Sequence, residues 1–138
     1  DDLRLLAFGM LDGNGLHLIA DLHDCRCAPG FLLDAPGLET FCVDACQRHG
    51  LTVVGRLFHA FQDAGGQPAG VTGTVVLAES HLAVHTWPEI ASVTLDIYVC
   101  NFSGDNSEQA HALFDEIITV FSPKRLEKQA VARGHLGD

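Results

Sequence analysis

The sequence predicts an α+β fold, a two-layer sandwich in which two helices pack on one face of a mainly antiparallel sheet. Three observations predict it. Two segments carry apolar residues at helical spacing, each confined to a single stripe. Several others alternate apolar and polar residues with the period of a strand. The segments follow one another as strand, helix, strand, then three strands, then a helix and a final element. At 138 residues the chain is expected to form one domain spanning 1–138.

Leu16 to Leu22 reads as the first strand, with Leu16, Leu18, Ala20 and Leu22 on one side and His17, Ile19 and Asp21 on the other. Asp34 precedes Ala35-Pro36-Gly37, and Leu38, Phe41, Cys42, Ala45 and Cys46 then recur at helical spacing until Gly50. An Asp before the helix, a Pro in its first turn and a Gly at its end mark both boundaries, and Cys42 and Cys46 fall on the buried stripe. Leu51 to Phe61 is rich in β-branched and aromatic residues and reads as a strand, with Gln62 to Gly70 as the loop after it. Gly73 to Ala78, His81 to Thr86 and Ser92 to Cys100 read as three more strands. In the last of these Thr94, Asp96, Tyr98 and Cys100 share the polar face. From Asp105 the positions Ala110, Leu113, Phe114, Ile117, Ile118 and Phe121 mark a second helix, stopped by Ser122-Pro123. The tail from Lys124 to Gly134 is compatible with helix or strand.

Composition excludes several functions. Apolar residues are 47% of the chain, enough for a core and too many for disorder. A net charge of −10 repels nucleic acid and anionic membranes, and the basic run Lys124-Arg125-Leu126-Glu127-Lys128 is short and interrupted. There is no apolar run long enough to span a membrane, and the acidic start Asp1-Asp2-Leu3-Arg4 is unlike a secretory leader, so a soluble cytoplasmic protein is expected. Five cysteines without such a leader point to reduced thiols rather than a disulfide framework.

The chemistry concentrates in Glu79-Ser80-His81-Leu82-Ala83-Val84-His85-Thr86-Trp87-Pro88-Glu89. Two carboxylates, a hydroxyl and two imidazoles between hydrophobic strands are costly to bury unless they are paired or functional. A polar turn would explain them without function. A hydrolase triad would need a G-x-S-x-G elbow, which is lacking around Ser80. A metal site is disfavoured as well: Cys25-Arg26-Cys27 is not a C-x-x-C pair, and Pro88 argues against the helix that would align His81 with His85.

This string, with Gly70-Val71-Thr72-Gly73 before it, resembles the self-processing segment of the prokaryotic S-adenosylmethionine decarboxylases. The likeness extends to His17-Leu18, to Asp21 through Cys25, to Phe58-His59-Ala60-Phe61 and to Leu95-Asp96-Ile97-Tyr98-Val99-Cys100, covering roughly residues 16 to 134. Decarboxylating an α-amino acid needs an electron sink that no standard side chain offers, and a covalent carbonyl able to form a Schiff base provides one. The resemblance implies that this carbonyl is a pyruvoyl group made from Ser80. Its Oγ attacks the carbonyl of Glu79, and elimination then cuts the chain into residues 1–79 and 80–138. The resemblance further assigns Thr72 to processing, His85 to removal of the Ser80 Cα proton, and Cys100 to reprotonation of the substrate carbon. Glu89 would accept from the ribose hydroxyls and Phe61 would stack on the adenine. It leaves His81 without a derived role, treats Trp87-Pro88 as structural, and places His17, Asp21 and Cys25 in packing or an interface.

The likeness also implies a homodimer of processed units with the active site near the interface, and a product used as aminopropyl donor for spermidine synthesis. One departure stands out. The family's short F-x-P-x-G-V-S-G link is here the longer run from Phe61 to Gly73, with Thr for Ser. A changed pocket border leaves L-ornithine or L-arginine open as alternative substrates, with Asp63 a candidate partner for a cationic end. An unprocessed, non-catalytic relative is the remaining alternative.

Overall fold

A computed structural model describes residues 15–101 and 104–134; Asp1 to Arg4 lie outside the described residues. Six strands and two helices follow in the order β1 (Gly15–Cys25), α1 (Ala35–Arg48), β2 (Val53–Gln62), β3 (Pro68–Leu77), β4 (Ser80–Trp87), β5 (Ser92–Cys100), α2 (Ser107–Phe121) and β6 (Pro123–Arg133). Short 3-10 turns at Pro29–Leu33 and Pro88–Ile90 flank the entry to α1 and the exit from β4. The strands form one sheet, β2-β3-β4-β5-β1-β6, in which every neighbouring pair is antiparallel.

Strand alternation sends Leu18, Ala20, Leu22, Val75, Leu82, Val84, Leu95 and Ile97 to the face that both helices cover. They meet Leu38, Cys42 and Cys46 of α1 and Leu113, Ile117 and Phe121 of α2, all fully buried. Each such large aliphatic side chain contributes about 1.5–3 kcal/mol of transfer free energy. Burial pushes the thiols of Cys42 and Cys46 up to about 12, so both behave as neutral apolar groups.

The predicted helix boundaries hold for physical reasons. The Asp34 carboxylate accepts from Gly37 N–H at 2.9 Å, capping α1, and Gly50 after its last turn has φ +80°. Ser122 ends α2 in the left-handed region, and Pro123 opens β6. Three expectations change. The undecided tail is strand, because β1 would otherwise present an open edge; β6 pairs with it from Cys25–Pro123 to Gly15–Arg133. The loop expected over Gln62 to Gly70 shrinks to residues 63–67, because the Asp63 carboxylate folds the turn tightly by accepting from Gly65 and Gln67 N–H, each at 2.9 Å. Ala78 leaves the strand for a two-residue turn, since Leu77 pairs with Ser80.

The helices are tied to one another by charge. Arg48 donates twice to the Glu116 carboxylate, at 2.9 and 2.6 Å, and His49 lies 2.7 Å from the same group. The Arg48 hydrogen bonds, helped by His49, hold the Glu116 carboxyl down at about 2. A carboxyl depressed on folding stabilises above its unfolded value of 4.5 and loses that contribution as pH falls toward 2. Melting temperatures followed from pH 6 to pH 2 should therefore show the parent falling more steeply below about pH 4.5 than Glu116→Gln; parallel curves would refute the assignment.

Candidate active site

The face of the sheet away from the helices, which no other described element covers, carries Thr72, His81, His85 and Asp96, while Ser80 shares the alternation of Leu82 and Val84 at the start of β4. Ser80 opens β4 immediately after the turn at Ala78 and Glu79. Glu79 adopts φ +74°, a region that favours glycine, and Ala78 N–H donates to Thr52 C=O at 2.9 Å. A non-glycine residue held there stores roughly 1 kcal/mol or more, and the bond that follows it is Glu79-Ser80. The register His81–Tyr98 brings Cys100 abreast of that bond. Cys100 is buried, yet it follows the alternation of Asp96 and Tyr98 rather than that of the core residues Ile97 and Val99. A polar cleft of about 170 Å³, lined by Thr52, Ala78, Glu79 and Asn106 among others, adjoins the turn.

The other end of β4 gathers a second group. Thr72 pairs with His85, and its Oγ1 lies 2.6 Å from His85 Nδ1. Counted from the Leu77–Ser80 rung, this is a non-hydrogen-bonded pair, the kind whose side chains stand closest. Beyond it, Glu89 lies on the 3-10 turn and lines a cleft of about 510 Å³ with Leu33, Asp63, Pro68, Ala69 and Pro88. Phe61 sits at the end of edge strand β2, 47% exposed and edge-to-face with His59 at 4.7 Å. It pairs with Gly70 and so stands beside the cleft rim rather than in the core.

The structure thus divides the expected residues into two sets. Glu79, Ser80 and Cys100 occupy one end of β4, while Thr72, His85, Glu89 and Phe61 occupy the other. Five residues of extended strand hold Ser80 and His85 about 16 Å apart, so within one chain His85 does not reach the Ser80 Cα, nor does Thr72 reach the Glu79 carbonyl. Nearness in sequence suggests otherwise, but an extended strand turns five residues into distance.

His81 belongs to neither set. Its Nε2 is 3.5 Å from Asp96 Oδ1, and His17 Nε2 approaches the same oxygen at 3.6 Å. Arg133 reaches His17 Nδ1 at 3.0 Å and lies 4.6 Å over the Tyr98 ring. Two residues that the sequence did not single out also attach to the site. Asn106, before α2, donates its backbone N–H to Asn101 Oδ1 at 2.7 Å and borders the cleft beside Glu79. Thr86, buried within β4, bonds to both Val71 and Leu32.

Comparison with known proteins converges on one family. The family model described as S-adenosylmethionine decarboxylase matches residues 16–134. An S-adenosylmethionine decarboxylase proenzyme of Aquifex aeolicus is 38% identical over 120 residues, covering 87% of this chain and 81% of the relative. One from Picrophilus torridus is 39% identical over 122 residues, covering 87% and 84%. The crystal structure of the adenosylmethionine decarboxylase from Aquifex aeolicus superposes with a TM-score of 0.77 at 32% identity, covering 93% of this chain and 97% of that one. With the sheet, the strained turn and the Thr72–His85 pair on the same alignment span, the chain belongs to the S-adenosylmethionine decarboxylase family.

Proposed function

We propose that this protein decarboxylates S-adenosylmethionine, using a pyruvoyl group made from Ser80, in a site that two copies of the chain complete together. The carrying observation is the division of the site between the two ends of β4. Thr72 and His85 lie on the uncovered face, and the alternation of β5 directs Cys100 the same way. A two-fold axis through that face sets the Ser80 end of one β4 over the His85 end of the other. The exposed Ile19, Val76 and Trp87 supply apolar area for such an association.

Processing then uses residues of both copies. Ser80 Oγ attacks the Glu79 carbonyl carbon, and the bond from that carbon to the Ser80 nitrogen breaks as an ester forms. The partner's His85, its Nδ1 oriented by Thr72, takes the Ser80 Cα proton through Nε2. The Ser80 Cβ–O bond breaks, and Glu79 leaves as a carboxylate. The left-handed φ at Glu79 is relieved when the chain is cut there. Residue 80 is left as a dehydroalanine, whose imine tautomer takes up water and loses its nitrogen as ammonia; the pyruvoyl group so formed would supply the sink for the electrons released with CO₂.

The chain's own side chains do the rest. Cys100, abreast of residue 80, returns a proton to the substrate carbon. Glu89 accepts from ribose hydroxyls in the 510 Å³ cleft, and Phe61 offers its exposed ring to the adenine. The aminopropyl donor so formed would serve spermidine synthesis in the cytoplasm. Asp63 shares the cleft with Glu89, which keeps a basic amino acid as the second reading; one Asp63 oxygen is already taken by two turn amides.

Ser80→Ala should give one uncut chain and no CO₂ release, whereas Cys100→Ala should still cut and turn over at least about 100-fold more slowly. CO₂ release from Ser80→Ala at the parental rate would exclude the mechanism. Coexpressing Ser80→Ala with His85→Ala tests the shared site, since only a mixed dimer unites an intact Ser80 with an intact His85. Cleavage of the His85→Ala chain in the mixture, and not alone, is the expected result; none in either case would return the site to a single chain. Phe61→Ala should raise KM for S-adenosylmethionine about tenfold through lost stacking. Turnover of arginine or ornithine in place of S-adenosylmethionine would establish the second reading.

A further inference from the structure

We infer that Thr86, on the buried side of β4, is a positioning residue that holds the Thr72–His85 pair in register and locks it to the wall of the substrate cleft. The inference rests on the reading of Thr72 and His85 as processing residues. Thr86 is 5% exposed and lies on the helix-covered face, so it touches neither substrate nor the reacting atoms.

Its hydroxyl makes two bonds. It accepts from Val71 N–H at 2.8 Å and donates to Leu32 C=O at 2.7 Å. The first replaces a rung of the sheet. The β3–β4 ladder runs from Leu77–Ser80 to Thr72–His85 and stops there. The next rung would join Val71 to the Thr86 main chain, and the side chain takes that amide instead. Val71 is the residue before Thr72, so the bond fixes the strand where Thr72 faces His85. The second bond reaches the 3-10 turn at Pro29–Leu33, whose last residue, Leu33, lines the cleft with Glu89. One hydroxyl therefore ties β3, β4 and the cleft wall.

Gly70 constrains the same place from the opposite strand. Its φ is +136°, and a Cβ there would lie 2.9 Å from Thr86 C=O and 3.1 Å from Pro88 Cδ. The strands come close enough for the hydroxyl bridge because residue 70 has no side chain. Valine matches threonine in shape but removes both bonds; serine keeps them.

The test follows self-cleavage of freshly synthesised chain for Thr86→Val, Thr86→Ser, Gly70→Ala and His85→Ala, with melting temperatures for each. Leu113→Ala, a core substitution on α2 remote from the pair, serves as a destabilised control. In a Ser80→Ala background, nitrogen-15 NMR of the imidazoles reads the His85 Nδ1 hydrogen bond without requiring cleavage. Thr86→Ser is expected within about threefold of the parental rate, and Thr86→Val and Gly70→Ala at least about tenfold slower, as small misplacements of reacting groups produce. The control should cleave at the parental rate despite its lower melting temperature. The His85 signal should shift in Thr86→Val and stay in Thr86→Ser. Parental cleavage with a parental His85 signal in Thr86→Val would overturn the inference, and so would a serine variant as slow as the valine one. Should Thr86→Val not fold, Gly70→Ala and Thr86→Ser decide it by the same criteria. Parental cleavage by His85→Ala would overturn the reading of the processing pair, while the NMR comparison would still report on the positioning.

Discussion

Everything in the site depends on β4 being paired on both sides from His81 to His85. Its ladders to β3 and β5 forbid bending, so the interval between residues 80 and 85 is fixed by the rise of an extended chain. That rigidity places each reactive side chain accurately. It also keeps Ser80 and His85 of one chain apart by the full length of the interval between them. A flexible loop in this position would let Ser80 meet His85 within one chain, at the cost of holding neither in place.

The uncovered face explains why the motif is so polar. Across it run His17, His81, Asp96, Tyr98 and Arg133, a network in which both imidazoles converge on one carboxylate oxygen. His17 Nε2 and Asp96 Oδ1 are shielded from solvent without a hydrogen bond of good geometry. Groups in this state raise the cost of leaving the face half-covered, because charge or polarity removed from water must be matched by a partner. The polarity that made residues 79–89 look expensive in the sequence is therefore distributed: part to the Thr72–His85 pair, part to the network around Asp96.

Much of the fold was legible because burial is one-sided. The stripe of Leu113, Phe114, Ile117 and Phe121 and the alternation of Val93, Leu95, Ile97 and Val99 each record a single covered face, and that signal survives in one sequence. The β6 segment resisted because it is an edge strand, exposed over nearly its whole length and bearing Lys124, Arg125, Glu127 and Lys128; edge charges discourage further pairing and erase the alternation. The Gln62 to Gly70 stretch misled because turn-forming residues do not say how many of them the turn uses, and a single carboxylate, Asp63, decided it. For the site, Ser80, His85, Cys100 and Glu89 were singled out through resemblance. Thr86 was not, since a threonine in a strand is ordinary, and its hydroxyl acquires meaning only when β3 and the turn near Leu32 arrive beside it.

The strand order has a consequence for how a cut chain is held. A break between Glu79 and Ser80 assigns β1, α1, β2 and β3 to one piece and β4, β5, α2 and β6 to the other. Across the sheet the pieces then alternate: β2 and β3 of the first, β4 and β5 of the second, β1 of the first, β6 of the second. Neither piece owns a contiguous half of the sheet or a complete core, so they are woven together rather than docked. Separation would require unzipping β3 from β4 and drawing β1 out from between β5 and β6 in one event. Before the break, folding is an intramolecular search; after it, reassembly would need two strangers to meet and interleave. For a chain cut at that bond, topology sets the order of events: folding whole comes first and cutting afterwards.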